Sequence, residues 1–404
     1  MSHSRTLVWF VWLTASIFYA YQFLLKVMPS IMMPEIMEKF AIDSALFGQF
    51  SGVYYIGYAL VHIPMGLLLD HYGPRKVMSI CIVLTVIGSL PVIFSNHWVY
   101  PVIGRALVGI GSSAAILGVF KIIRMNFDNQ HFTRMLSLSV MIGLIGGIYG
   151  GGPLSYMSHV WGYETVIQLF AFIGIVLAAV TYLIIPDMES SHRTTVFSDL
   201  KTVFTNKKVI QICIFSGFMV GPLEGFADIW GATFLKQVYG LEMSLATTLP
   251  SMIFIGMCFG SPILSLIAEK TGYYLGAIIG AGLLMALIFI ALLLGAFTTP
   301  SISIAFLVVG MCCAYQILAI YKASTYVSPE VSGLTSAVAN MIITSFGYAF
   351  HSAIGFVVNT YGGPGVTQSL VYGIGVIPVG LMIGVVGLIG LAYQQRSGRL
   401  VSKS

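Results

Sequence analysis

Twelve apolar runs recur along this chain, and they constrain its fold more than any other feature. The runs cover residues 7–28, 46–69, 77–94, 99–120, 134–157, 164–185, 209–235, 244–268, 274–296, 301–322, 332–358 and 367–394. About 20 apolar residues in helical form are long enough to cross the hydrocarbon core of a bilayer. We therefore predict an all-α polytopic membrane protein with twelve transmembrane helices, numbered as spans one to twelve.

The composition is typical of a chain that lies in a bilayer, because 57% of its 404 residues are hydrophobic and only 8% are charged. The five cysteines all fall inside apolar runs, without the spacing of a disulfide framework or a metal site. Nucleophile and base pairs and phosphate-binding loops are not evident either. We therefore expect no enzyme activity, no metal and no cofactor.

Basic residues are distributed unevenly between the two sides of the membrane. Only Lys39 and Lys236 fall in loops opposite the termini, and Lys26 and Arg105 lie within spans. The other fifteen of the 19 basic residues share the side of the termini: Arg5, Arg75, Lys76, Lys121, Arg124, Arg134, Arg193, Lys201, Lys207, Lys208, Lys270, Lys322, Arg396, Arg399 and Lys403. Positive loops stay cytoplasmic, so we predict an inner or plasma membrane protein with both termini inside. The net charge of +5 thus indicates topology, and we expect no nucleic-acid partner.

The long polar connection at residues 186–208 divides the spans six and six. We predict an N-terminal six-helix bundle at 1–185, a cytoplasmic linker at 186–208 and a C-terminal six-helix bundle at 209–404.

The second half repeats the first at an offset of 199 residues. This offset aligns Asp70 with Glu269 and Gly73 with Gly272. It also aligns two short stretches without a gap: Phe40–Asp43 and Tyr239–Glu242. Two parallel six-helix repeats are therefore predicted.

The loop after the second span reads Gly66-Leu67-Leu68-Leu69-Asp70-His71-Tyr72-Gly73-Pro74-Arg75-Lys76. It resembles the loop between helices two and three of the major facilitator superfamily, a family of secondary transporters. His71 and Pro74 replace basic residues of that pattern. A carboxylate at this helix end can bond to a neighbouring helix end and basic groups. We therefore assign gating to Gly66, Asp70, Gly73, Arg75 and the repeat-equivalent Glu269, with the stronger latch on the Asp70 side.

The fourth span opens with Gly104-Arg105-Ala106-Leu107-Val108-Gly109-Ile110-Gly111, which resembles a second signature of the same family. In that family the matching arginine is associated with proton-coupled members, so the resemblance implies a proton-coupling role for Arg105. Binding of an anionic substrate and a buried ion pair are alternatives. The glycine-rich fifth span only partly resembles the family's antiporter signature, and we interpret its glycines as close helix packing.

A charged residue inside a span requires a partner or a watery cavity. Lys26 shares one helical face of the first span with Tyr19 and Gln22, and we expect the helix to run on towards Pro34. Two interpretations of Lys26 remain: it contacts the substrate, or its side chain snorkels to the outer interface.

In the seventh span, Glu224 and Asp228 follow Gly221-Pro222, a pair expected to break or bend the helix. The 199-residue offset places Glu224 at the level of Leu25, beside Lys26. We therefore predict that Lys26 faces this acidic pair across the substrate path, with Glu224 and Asp228 also candidates for proton coupling. Anchoring of the outer part of the span by Asp228 is the alternative.

Further polar side chains fall within other spans, where aromatic interface anchors or packed side chains are the alternative interpretation. The substrate-binding candidates among them are Tyr54, Tyr58, Tyr315, Gln316 and Asn340. Additional cavity candidates are Tyr55, His62, Tyr321, Tyr348 and His351.

These features predict a monomeric secondary transporter that works by alternating access in the lipid bilayer. A zwitterion would satisfy both charge signs, so we predict proton-coupled uptake of an amino acid or other small zwitterion. The stretch Phe18–Pro29 is similar to a bacterial branch of the family with amino-acid and nucleoside importers of intracellular bacteria. Alternatives are an organic-anion importer, a drug or siderophore exporter and a non-transporting nutrient sensor.

Overall fold

The computed structural model describes residues 5–186 and 196–401, and within these ranges it contains helices and no β-strand. The predicted all-α fold is therefore confirmed. Residues 187–195 of the predicted linker lie outside the described ranges. The part of the linker that follows them begins with the helix Val196–Thr205.

The first six spans are formed by long helices, some of which contain breaks. Ser44–Ser89 is 46 residues long and holds spans two and three, which meet at Gly73, where φ is 78° and ψ is 159°. The fifth span is bent by 40° between its two helices. The bounds are Arg5–Val27, Ser44–Ser89, Val99–Asn126, Asn129–Tyr149 with Gly152–Trp161, and Tyr163–Ile184.

The last six spans contain more interruptions. The seventh span has three segments, and the eighth and tenth have two each. The bounds are Lys207–Gly217, Gly221–Trp230 and Gly231–Tyr239, then Met243–Thr248 and Ser251–Thr271, Tyr274–Leu293, Thr299–Cys313 and Tyr315–Ser324, Pro329–Thr360, and Thr367–Val401. Together with the first six, the described residues account for all twelve predicted spans.

The contacts of the chain divide it into two compact units. The first unit comprises spans one to six together with Leu241–Ser251, and the second comprises the rest of spans seven to twelve. The helix Met243–Thr248 packs against Gly152–Trp161 of the bent fifth span. The start of the eighth span therefore belongs structurally with the first unit.

The two repeats share positive φ angles at equivalent positions. Ala41 has a φ of 49° and Gly240, 199 residues later, has a φ of 65°. Gly73 and Gly272, at the same offset, have φ values of 78° and 64°. Because positive φ is rare outside glycine, the match at Ala41, which is not a glycine, is the more informative of the two. The predicted duplication is confirmed.

Glycines of the fifth span lie directly against the first span. A Cβ atom at Gly146 would collide with the carbonyl oxygen of Ala20, and one at Gly143 would collide with the ring of Tyr19. Small residues allow the backbones of membrane helices to approach closely. The glycines therefore have the packing role that we inferred for them.

Candidate functional site

The first span changes its geometry next to the predicted substrate-binding lysine. Its α-helix ends at Val27, a 3₁₀ turn covers Met28–Ser30, and a separate helix begins at Met33. The expectation that the helix runs on towards Pro34 was therefore wrong. Proline has no backbone N–H and interrupts helical hydrogen bonding, and Pro29 lies within this turn.

Arg105 of the fourth span caps this end of the first span. Its Nη1 donates to the carbonyl oxygen of Leu25 at 2.8 Å, and its Nη2 donates to that of Lys26 at 2.6 Å. The guanidinium also lies over the ring of Tyr54, 5.0 Å from its centroid. Arg105 is only 5% exposed, so its contacts lie inside the protein.

The side chain of Lys26 is packed inside the protein and does not extend to its surface. It is 6% exposed, and its Nζ lies 4.9 Å from the centroid of the Phe23 ring and 5.6 Å from that of the Tyr55 ring. Aromatic faces attract an ammonium group through their quadrupole. The first unit therefore holds a buried cation on an aromatic platform.

Polar and aromatic side chains of the second span extend this site. The Tyr54 hydroxyl donates to the Gln22 Oε1 at 2.6 Å. The rings of Tyr54 and Tyr58 stack at 6.2 Å, and those of Tyr58 and the buried His62 stack at 4.9 Å. Tyr19 packs on Phe23 at 5.1 Å. The candidates of the first two spans thus form one cluster with Arg105.

The seventh span leaves α-helical geometry where the acidic residues lie. Gly221–Trp230 forms a π-helix with Pro222 in its first turn, which confirms the predicted break. Glu224 is 4% exposed and Asp228 is 1% exposed. π-helical segments within spans are frequent at functional sites. The two carboxyl groups are thus buried in irregular backbone of the second unit.

The tenth span brings further candidates to the same unit. Its helix is interrupted at Ala314, and the hydroxyl of the following Tyr315 donates to the Ser216 carbonyl oxygen of the seventh span at 2.7 Å. Cys313 and Tyr315 flank this interruption and are both buried, 1% and 0% exposed. Sequence reasoning had missed Cys313, because a cysteine in an apolar run carries no pattern.

The remaining candidates differ in their burial. Gln316 and His351 are buried, whereas Asn340 and Tyr348 are half-buried. Tyr321 is 49% exposed and its ring packs against that of Tyr274 at 5.0 Å.

Two side chains of the motif after the second span contact other spans of the first unit. The Asp70 Oδ1 pairs with the Lys121 Nζ of the fourth span at 2.6 Å. The Arg75 guanidinium lies over the ring of Tyr182 in the sixth span, at 4.3 Å. The motif alone did not identify Lys121 or Tyr182, since both come from other spans.

Two further gating candidates, Gly66 and Glu269, have open surroundings. A Cβ atom at Gly66 would have no heavy atom within 4 Å, and the side chain of Glu269 is exposed.

Comparison with known proteins adds to this geometry. An uncharacterized transporter of Rickettsia felis is 26% identical over 201 residues, 48% of each chain. The hexuronate transporter of Bacillus subtilis is 20% identical over 256 residues, 60% of this chain and 61% of that one. This chain thus spans about half the length of the first curated relatives that it matches.

Solved structures show the same fold at low sequence identity. A bacterial homologue of the human lysosomal transporter Spinster, inward-facing and occupied, superposes with a TM-score of 0.78 at 16% identity. The match covers 97% of this chain and 98% of that one. At this identity the likeness concerns the fold alone.

The family comparison agrees with the twelve spans, the duplication and both signatures. The family model for the Major Facilitator Superfamily matches residues 11–352. The match and the apolar spans make the chain a multi-pass membrane protein. By this match and this fold, it belongs to the Major Facilitator Superfamily.

Proposed function

We propose that this secondary transporter takes up an amino acid or another small zwitterion and that protons drive the uptake. The buried charges of opposite sign carry the proposal. Lys26 is buried in the first unit, and Glu224 and Asp228 are buried in the second. In this proposal Lys26 binds the substrate carboxylate and the acidic pair binds its ammonium group.

The low exposure of these groups supports their assignment to a functional site. Ionisable side chains inside membrane spans are costly, so they are retained mainly where they bind substrates or ions. Both sets also lie beside irregular backbone, the 3₁₀ turn at Met28–Ser30 and the π-helix at Gly221–Trp230. Interrupted helices with charged groups are typical of midplane sites in transporters built from repeats.

Proton coupling is the second part of the proposal. Acidic side chains inside membrane spans are typical of proton relays in pumps and transporters. Glu224 and Asp228 are the candidates for this proton, and Arg105 of the first unit is a coupling candidate only through its resemblance to the family's arginine. We place the protein in the inner or plasma membrane with both termini cytoplasmic, as the basic loops indicate.

Uptake of labelled amino acids into proteoliposomes, with and without an inward proton gradient, tests this function. We expect at least one zwitterion to accumulate above its external concentration only when the gradient is present. Equal uptake with and without the gradient would remove the proton coupling. Binding without flux would favour a nutrient sensor, and outward pumping of a hydrophobic drug or siderophore would favour an exporter.

Import of an organic anion is the second candidate. It is favoured by the position of Arg105, whose guanidinium donates to the carbonyl oxygen of Lys26 itself, so that two cationic residues meet in the first unit. The same liposomes distinguish the candidates. A carboxylate without an amino group would then be accumulated, and a zwitterion would not compete with it.

A further inference from the structure

The backbone of the first span lacks a hydrogen-bond donor beside Lys26. In an unbroken α-helix the amide of residue 29 would donate to the carbonyl oxygen of Leu25. Residue 29 is a proline, which has no amide hydrogen. The α-helix accordingly ends at Val27, and the Leu25 carbonyl requires a donor from elsewhere.

Arg105 supplies that donor from another helix. Its two terminal nitrogens donate to the consecutive carbonyl oxygens of Leu25 and Lys26, at 2.8 Å and 2.6 Å. Charged donors make stronger hydrogen bonds than neutral ones, and a planar guanidinium can reach two acceptors at once. A lysine at position 105 could not do the same, because its ammonium group lacks this fixed pair of donors.

This part of the first span borders a cavity. A cavity with about 420 Å³ of empty space, including its open mouth, lies beside the turn. Met28, Pro29 and Met32 form one side of it, and Phe50 and Arg105 are also in its lining. The two hydrogen bonds thus restrain a buried turn on the side where it borders this cavity.

We infer that Arg105 is a positioning residue that replaces the amide hydrogen missing at Pro29 and thereby fixes the backbone from which Lys26 projects. The inference concerns the backbone and rests on the proposed function only where Lys26 is taken to bind substrate. It differs from a proton-coupling role, because an arginine keeps its proton at any physiological pH and here holds a backbone in place.

A rescue experiment tests the inference. Arg105→Met removes both donors, and Pro29→Ala restores an amide hydrogen that can donate to Leu25. Arg105→Met combined with Pro64→Ala is the matched control, because Pro64 interrupts the hydrogen bonding of a different helix, in the second span.

Hydrogen exchange of the peptide that contains residues 28–36, measured on the purified proteins without substrate, reports the backbone directly. Loss of charge-assisted hydrogen bonds predicts exchange that is faster by about tenfold to a hundredfold in Arg105→Met. Exchange should return towards the wild-type rate when Pro29→Ala is added, and it should stay fast with Pro64→Ala. Unchanged exchange in Arg105→Met, or equal exchange in both double variants, would overturn the inference.

Transport kinetics add a second readout. If Arg105 acts through Lys26, Arg105→Met raises KM by about tenfold or more, whereas the pH profile of uptake keeps its midpoint. Pro29→Ala should lower KM again, and Arg105→Lys should resemble Arg105→Met because charge alone does not suffice. A shifted pH profile with unchanged KM would instead assign Arg105 to proton coupling.

The two readouts separate this inference from the proposed substrate. Rescue of hydrogen exchange without uptake of any zwitterion would leave the positioning role intact and reject the substrate. If Arg105→Met does not fold, recovery of a folded protein by Pro29→Ala, but not by Pro64→Ala, gives the same support. If both double variants fail to fold, Arg105→Lys replaces Arg105→Met in the test. Adding Pro29→Ala to Arg105→Lys should then return hydrogen exchange towards the wild-type rate. Exchange that stays fast in this double variant would overturn the inference.

Discussion

At the scale of single residues, Lys26 is distinguished by its surroundings. Its ammonium group lies over the rings of Phe23 and Tyr55, and its own carbonyl oxygen accepts a hydrogen bond from Arg105. Both the charge and the backbone of this residue are therefore held in place. Such a preorganised cation suits the binding of a small anionic group, because little further ordering is needed.

Lys26→Met should remove transport and leave the protein folded, because the aliphatic stem is kept and only the charge is lost. Lys39→Met is the matched control, since Lys39 forms an exposed ion pair with Glu164 at 3.3 Å, and such pairs contribute little. Transport assays and size-exclusion profiles of both variants check this. Wild-type uptake in Lys26→Met would exclude the residue from the site.

Asp228→Asn should also abolish transport, since it removes the charge with almost no change in volume from a residue that is 1% exposed. The control is Glu164→Gln, which removes an exposed carboxylate outside the site. Gradient-driven accumulation and substrate exchange are measured for both. Retention of both activities in Asp228→Asn would remove the residue from substrate binding and from proton coupling.

The sequence predicted these charged residues but not their contacts. Lys26, Arg105, Glu224 and Asp228 stand out because charges within apolar runs are rare. The contact of Arg105 with Leu25, however, joins residues 80 positions apart. It depends on how the first and fourth spans pack, which the pattern of either span does not contain.

At the scale of structural elements, Gly73 separates the second and third spans. Its φ of 78° and ψ of 159° fall in a region that is almost restricted to glycine. Gly73→Ala should therefore destabilise the protein by about 1 to 3 kcal/mol.

Thermal inactivation in detergent checks the Gly73 prediction, with Gly66→Ala as the control. Gly66 lies in helix with free space around its Cβ position, so alanine there should not lower stability. Equal stability of the two variants would contradict the conformational argument. Loss of transport in a stable Gly66→Ala protein would support the proposed gating role.

Asp70 and Lys121 connect the ends of the second and fourth spans. Because their side chains are 43% and 19% exposed, the pair is expected to influence conformational equilibrium more than stability. Asp70→Asn should shift the protein towards the inward-open state, and Lys121→Met should produce the same shift. The double variant should then shift no further than either single one.

The labelling rate of a cysteine introduced at the cytoplasmic end of a span measures this shift. A second cysteine at the outer end should change in the opposite direction. Additive effects of Asp70→Asn and Lys121→Met would show that the two residues act separately, and unchanged labelling would reject gating by Asp70.

Helix breaks were predictable where composition marks them. Gly73-Pro74 and Gly221-Pro222 gave breaks at the right places. The end of the first helix at Val27 was not predicted, because the apolar pattern continues through Met28–Met33. Hydropathy carries no information about the backbone amide hydrogen that Pro29 lacks. The π-helical form of Gly221–Trp230 was likewise not predictable from the proline alone.

At the scale of the whole molecule, duplication and divergence have separate effects. The repeats keep the same backbone turns at Ala41 and Gly240, so the scaffold is common to both halves. The charges are not repeated, since the offset places Gly225 at the position of Lys26. A parallel duplication can thus supply two similar halves with charges of opposite sign.

The fold was predictable at this scale because apolar length, loop charge and internal repetition are properties of the sequence itself. The bundle boundaries at 185 and 209 and the facing of Lys26 by the acidic pair remain predictions. They concern the arrangement of the halves during transport, which periodicity within one half does not encode.

In the proposed site, Lys26 binds the carboxylate of a zwitterion and Asp228 its ammonium group. A cycle of variants and substrate analogues in proteoliposomes tests it most directly. Competition is measured for the zwitterion, its amide without a carboxylate and its N-acetyl form without an ammonium group, with wild type, Lys26→Met and Asp228→Asn.

We expect wild type to prefer the zwitterion over the amide by about tenfold to a hundredfold, and Lys26→Met to lose this preference. Asp228→Asn should lose the preference over the N-acetyl form instead. If neither variant changes these preferences, Lys26 does not bind the substrate carboxylate and Asp228 does not bind its ammonium group.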